Sequence, residues 1–159
     1  MEIKPFVVIL MGSPSDQSHV DKIVSALKRM NIEAEQRISS AHKTPQHLLD
    51  LLVAFEKDPR PKVYITVAGR SNALSGMVDA SVKAPVIACP PSSTAFEGVD
   101  IFSSLRMPSG VAPMVVLDPE NAALAAAKIL GLISEDIAQA VAQQQENQQR
   151  RLLDPHKEP

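Results

Sequence analysis

Ser39-Ser40-Ala41-His42-Lys43-Thr44-Pro45 puts a titratable imidazole between small residues and a cation, where an extended segment stops and a helix begins. Small neighbours leave the His42 ring open to a ligand. Thr44 is suited to cap the following helix and Pro45 to its first position. The first helical N–H groups and Lys43 would then form one anion-attracting corner beside the imidazole and Ser40. The chemistry suggested is proton transfer next to a phosphate seat. An ordinary strand-to-helix turn with an exposed histidine would use the same residues, so the other loops must decide.

Two further loops carry complementary groups. Gly12-Ser13-Pro14-Ser15-Asp16 follows an apolar run and precedes a helical pattern. Its backbone amides and hydroxyls could meet a phosphate while the Asp16 carboxylate accepts from sugar hydroxyls. Neither a Walker loop nor a dinucleotide fingerprint is present, because the lysine and the glycine spacing are missing; a plain capping sequence is the competing reading. Gly69-Arg70-Ser71-Asn72 offers close backbone approach, a fixed cation, and amide and hydroxyl donors suited to a carboxylate or carbon dioxide. Its competing reading is a turn with a surface salt bridge. His19, His47 and His156 fall on helices away from loop tips or in the tail, and are read as structural or solvated. No carboxylate or histidine pair has metal-ligand spacing, so no metal is expected. Cys89 follows a buried strand and reads as a core residue, with no base placed beside it.

These loops need a scaffold that brings them to one place. Phe6 to Met11 is a continuous apolar run, as in a central parallel strand covered on both faces. Val20, Ile23, Val24, Leu27 and Met30 then mark one face of a helix. Further strands are expected at Ala34–Ile38, Val63–Val67, Val86–Ala88 and Ala112–Leu117. Helices are expected from Pro45, over Met77–Val82 and Val99–Leu105, from Pro119 to near Gly131, and over about 134–152. The 13 prolines avoid the interior of every such segment except at first turns and at Pro113, the second residue of the last expected strand. Strand–helix alternation with short connections predicts an α/β domain spanning 1–159, a three-layer αβα sandwich with a parallel sheet of about five strands. A ligand should lie beyond the carboxyl ends of the strands, where these loops fall.

Composition narrows the rest. A chain of 159 residues, 45% hydrophobic, buries roughly two-thirds of its unfolded surface as one domain. A net charge of -2, no tryptophan and one tyrosine supply neither a basic footprint nor a stacking platform for nucleic acid. The apolar run at Phe6 is too short to span a bilayer, so no membrane association is expected. One cysteine suits a reducing compartment, and the cytoplasm is the expected location.

Met11-Gly12-Ser13-Pro14-Ser15-Asp16, Ser40-Ala41-His42-Lys43, Ala68-Gly69-Arg70-Ser71-Asn72, Cys89-Pro90-Pro91 and Ser104-Leu105-Arg106-Met107-Pro108-Ser109-Gly110, in this order, resemble the aminoimidazole ribonucleotide carboxylase family of purine biosynthesis. The resemblance covers nearly the whole chain. It implies a flavodoxin-like domain, a homo-oligomer that is usually an octamer with sites at subunit contacts, and no metal or organic cofactor. Class I members, mutases of the N5-carboxylated ribonucleotide, carry Ala-Gly-Gly-Ala-Ala-His-Leu-Pro-Gly and an arginine after the active histidine. Here Ala73 stands at that second histidine and Lys43 at that arginine. The chain is thus similar to class II, which carboxylates aminoimidazole ribonucleotide directly with carbon dioxide and without ATP. The resemblance implies His42 as the proton acceptor, Ser13, Ser40 and Lys43 at the phosphate, Asp16 at the ribose, and Gly69, Arg70 and Ser71 at the carbon dioxide end. The class I mutase is the enzymatic alternative. A flavodoxin-type or receiver-like binding module is the other, though aromatics are scarce for a flavin and the first strand lacks an acidic cluster.

Overall fold

The structure, a computed structural model, describes residues 4–153. Strand β1 (Phe6–Met11) is buried along its whole length, because its side chains alternate between two helical layers. Val7, Ile9 and Met11 enter one core, and Phe6, Val8 and Leu10 the other. A two-sided strand of this kind has no polar positions to spare, which is why it reads as an unbroken apolar run.

A 3₁₀ turn (Pro14–Asp16) leads into helix α1 (Gln17–Arg29), followed by β2 (Glu33–Ile38), α2 (Pro45–Lys57), β3 (Lys62–Val67), α3 (Ala73–Asp79) and β4 (Val86–Ala88). A 3₁₀ segment (Ala95–Ile101) runs into the one-turn helix α4 (Phe102–Leu105). Then come β5 (Met114–Val115), α5 (Pro119–Leu130) and α6 (Glu135–Leu153). The five strands form one parallel sheet in the order β2-β1-β3-β4-β5, flanked by helices on both faces: an αβα, flavodoxin-like fold. Helices α1, α5 and α6 cover the face that carries Val7 and Ile65; α2 and α3 cover the face that carries Val8 and Tyr64. Burying each such aliphatic side chain is worth about 1.5–3 kcal/mol relative to exposing it, so the two cores dominate stability. His156 lies outside the described residues.

Three local expectations need correction. Helix α3 starts at Ala73 rather than near Met77, because the Asn72 side chain accepts from the Ser75 N–H and caps it there. Strand β5 keeps two paired residues where six were expected; Pro113 has no N–H to donate to a ladder. The expected helix over Val99–Leu105 is present, 3₁₀ through Ile101 and α from Phe102, and it follows Phe96, Glu97 and Gly98, all in the left-handed region. Thr44 does not cap α2: its hydroxyl turns back to accept from the Ser40 N–H (2.9 Å) and donate to the Ser40 carbonyl (3.2 Å).

Candidate active site

The strand order reverses between β1 and β3, and the loops leaving their carboxyl ends open a cleft of about 560 Å³. The β1 loop supplies Ser13 and Asp16, the β2 loop Ser40 and Lys43, and the β3 loop Gly69, Arg70 and Ser71. Residues far apart in the chain thus share one wall, as expected at a topological switch point.

Each loop is held by its own hydrogen bonds. Ser13 Oγ accepts from the Ser15 N–H (3.3 Å) and the Ser15 hydroxyl (2.9 Å), so this serine caps the turn and lines the cleft at once. Asp16 makes no capping bond to α1, which leaves its carboxylate facing the cleft. Partial burial pushes its pKa above the ordinary 3.8, while a hydrogen bond from the Ser13 backbone and the nearby His19 pull the other way. Ser39 N–H continues the sheet by donating to the Met11 carbonyl (2.9 Å). The Ser40–Thr44 turn then closes through the Thr44 hydroxyl and a Lys43 N–H bond to Ser40 Oγ (3.2 Å).

Arg70 has φ 58, a left-handed conformation that costs a residue with a side chain about 1–2 kcal/mol. Such strain concentrates at working sites. Gly69, by contrast, has no positive φ, and a Cβ there would make ordinary contact with Pro91 at 3.5 Å. Glycine at 69 keeps space open; the strained position is its neighbour. Among the described residues, neither Lys43 nor Arg70 has an ion-pair partner. The same wall carries the carboxylates of Asp16 and Asp100, so the cleft offers cations for an anionic group and acceptors for hydroxyls at different points.

His42 departs from this picture. Its neighbours Ala41 and Lys43 line the cleft, yet its own side chain is exposed at the rim and not on the wall. Asn72, expected as a ligand donor, is 3% exposed and points into the protein. Cys89 does have a base beside it: His19 Nε2 lies 3.3 Å from its sulfur. Burial pushes the thiol pKa up to about 12, which keeps it protonated and unsuited to attack.

The wall also includes Ser92, Ser93 and Thr94 from the loop after β4, and Asp100. The signal for the first three was a hydroxyl run after Pro90-Pro91 at the end of a strand. A second cavity of about 280 Å³ opens beside the first, sharing Gly69, Arg70, Pro91 and Asp100 and bounded by Ile101, Ser104 and Leu117. No group of three or more histidine, cysteine or carboxylate side chains is arranged for a metal among the described residues. No helix described is long and apolar enough to cross a membrane.

The AIR carboxylase family profile matches residues 6–151. The chain belongs to the AIR carboxylase family. It is 53% identical over 152 residues to a phosphoribosylaminoimidazole carboxylase of Treponema denticola, covering 96% of each chain. It is 56% identical over 145 residues to the one of Archaeoglobus fulgidus, covering 91% of this chain and 79% of the other. The crystal structure of Treponema denticola PurE superposes with a TM-score of 0.94 at 53% identity, covering 95% of this chain and 96% of that one. As a member of this family the chain is a carboxy-lyase enzyme of purine biosynthesis.

Proposed function

We propose that the chain is a class II carboxylase: it joins carbon dioxide to C4 of 5-aminoimidazole ribonucleotide, without ATP, to give the 4-carboxy ribonucleotide. The observation that carries this reading is Arg70, a cation with no ion-pair partner among the described residues, at the end of β3 on the cleft wall and followed by Ser71, Asn72 and Ala73. The class I pattern would put glycine, alanine, alanine and a histidine over the same four positions.

The residues suit distinct tasks. Ser13, Ser40 and Lys43 hold the phosphate, with Lys43 as a compact point charge. Asp16 accepts from the ribose hydroxyls. Gly69, Arg70 and Ser71 face the carbon dioxide end, where Arg70 stabilises the carboxylate charge that develops as C4 attacks. The C4 proton must then leave to restore aromaticity, and His42 takes it. Carbon dioxide offers little to grip, so most of the acceleration comes from positioning the ring and from fixed charge.

His42 at the rim supports a site completed by another copy of the chain. Exposed Leu49, Val53, Phe102 and Leu105, at 36%, 57%, 66% and 54%, are apolar surface that subunit contacts would cover. We read the protein as a cytoplasmic homo-oligomer, an octamer, which light scattering would measure directly. The deciding assay offers each ribonucleotide separately. Aminoimidazole ribonucleotide should be carboxylated without ATP in proportion to dissolved carbon dioxide. Rapid conversion of the N5-carboxylated isomer would move the chain to class I.

A further inference from the structure

A chain of hydrogen bonds, buried from Thr66 to Ser104 and more open around Ser103, runs behind Arg70. Asn72 Nδ2 donates to Ser104 Oγ (2.9 Å) and Ser75 Oγ (2.7 Å), and Ser75 Oγ meets Thr66 Oγ1 at 2.7 Å. The Asn72 backbone N–H donates to Ser103 Oγ (2.9 Å). Ser103 in turn reaches the Arg70 carbonyl (3.0 Å) and the Asp100 carbonyl (2.7 Å). Thr66 and Ser75 are fully buried and Ser104 is 2% exposed.

A helix that needed only a cap would use the Asn72 oxygen alone. Here the side-chain amide nitrogen and the backbone N–H reach 32 and 31 residues along the chain, to α4. One helical turn cannot hold itself in place. Between Ala95 and Leu105 only Ser104 is buried, so few apolar contacts seat this stretch. Polar bonds to Asn72 do so, and the same bonds fix the carbonyl of strained Arg70. The 280 Å³ cavity lies between these parts, with Gly69 and Arg70 on one side and Ile101 and Ser104 on the other.

We propose that Asn72, Ser103 and Ser104 form a positioning unit that holds Arg70 in its left-handed conformation and sets the gap into which carbon dioxide is received. The substrate named here rests on the class II reading. Asn72 and Ser103 do not line the cavity and Ser104 borders it; the three act through Arg70 and the width of the cavity.

The test varies carbon dioxide at saturating ribonucleotide, and then the reverse, for Ser103→Ala, Ser104→Ala and Asn72→Ala. KM for carbon dioxide should rise about tenfold, the weight of one well-made hydrogen bond, while KM for the ribonucleotide stays within about twofold. Ser103→Thr, which keeps the hydroxyl at a half-buried position, should restore the wild-type value. If Asn72→Ala fails to fold, the two serine variants decide: Ser104→Ala removes its one bond to Asn72, and Ser103→Ala those to Asn72, Arg70 and Asp100. Folded serine variants with both KM values unchanged, or with both raised alike, overturn the proposal. Hydrogen exchange supplies a readout independent of substrate: amides of residues 95–105 should exchange faster in the variants. A wild-type enzyme idle with carbon dioxide overturns the class II reading and the substrate named here. The positioning role then stands if exchange over 95–105 quickens and falls if it does not.

Discussion

At the scale of single residues, Arg70 and His42 do different things with backbone and position. Arg70 is held where a glycine would rest more easily. Arg70→Gly should therefore raise thermal stability, by up to about 1 kcal/mol, while removing the cation and most of the turnover. Calorimetry beside a carboxylation assay checks both halves, and a variant less stable than the parent would show that the conformation carries no strain. His42→Asn should leave ribonucleotide affinity nearly intact and cut turnover by roughly 10²–10⁴, the weight of a general base. Near-normal turnover would remove His42 from the mechanism. His42 was legible in the sequence because small neighbours and a cation flank it; that its ring stands at the rim was not, since the turn's pitch is set by Thr44 folding back on Ser40. Asn72 was read as a ligand donor for a similar reason. Its partners Ser103 and Ser104 come into range only once α4 is packed, and no local pattern announces a pairing so distant in the chain.

At the scale of elements, the sequence was most legible where one physical requirement dominates. Strand β1 had to be apolar on both sides, and α5 is bracketed by Pro119 at its first position and Gly131 at its last turn. Asp118 Oδ1 accepts from the Asn121 N–H (2.9 Å), a capping bond that Asp118→Ala would remove. That change should cost about 1 kcal/mol, read as a lower denaturation midpoint with the same slope. Elements were least legible where tertiary contacts overrule local preference. Helix α2 carries leucines at 48, 49, 51 and 52, yet Leu48, Leu52 and Phe55 are the ones that face the sheet, and Leu49 and Val53 look outward. A stripe widened in this way has no reason in the chain's own core.

At the scale of the whole molecule, one contact between layers bounds the pH range of stability on both sides. His19 on α1 meets Cys89 after β4 at 3.3 Å. Burial and Lys22 hold the His19 pKa below 6.5, with Asp16, the Cys89 hydrogen bond and Asp118 opposing. The unfolded chain therefore binds a proton that the folded one refuses, and stability falls as pH drops below about 6.5. Cys89 works in the opposite direction: its folded pKa of about 12 against an ordinary 9.0 means that the unfolded thiol ionises first, so stability falls as pH rises past 9.0. Buried Tyr64, whose hydroxyl donates to Glu56 (2.9 Å), adds to that loss at still higher pH. Melting temperatures across pH should show both limbs. His19→Gln should flatten the acid limb and Cys89→Ala part of the alkaline one; unchanged slopes would exclude this contact as their source. The sheet's free margin has a consequence of another kind. Strand β2 pairs on one side only, and unsatisfied peptide groups along such a border invite an extended segment from another molecule to zip on. Glu33, Glu35 and Arg37 stand at every second residue there, and Arg60 clamps both glutamates while Arg37 holds Glu35 at 2.9 Å. An identical strand arriving in register would stack like charge on like charge, so crowded solutions of this protein should stay free of fibrils.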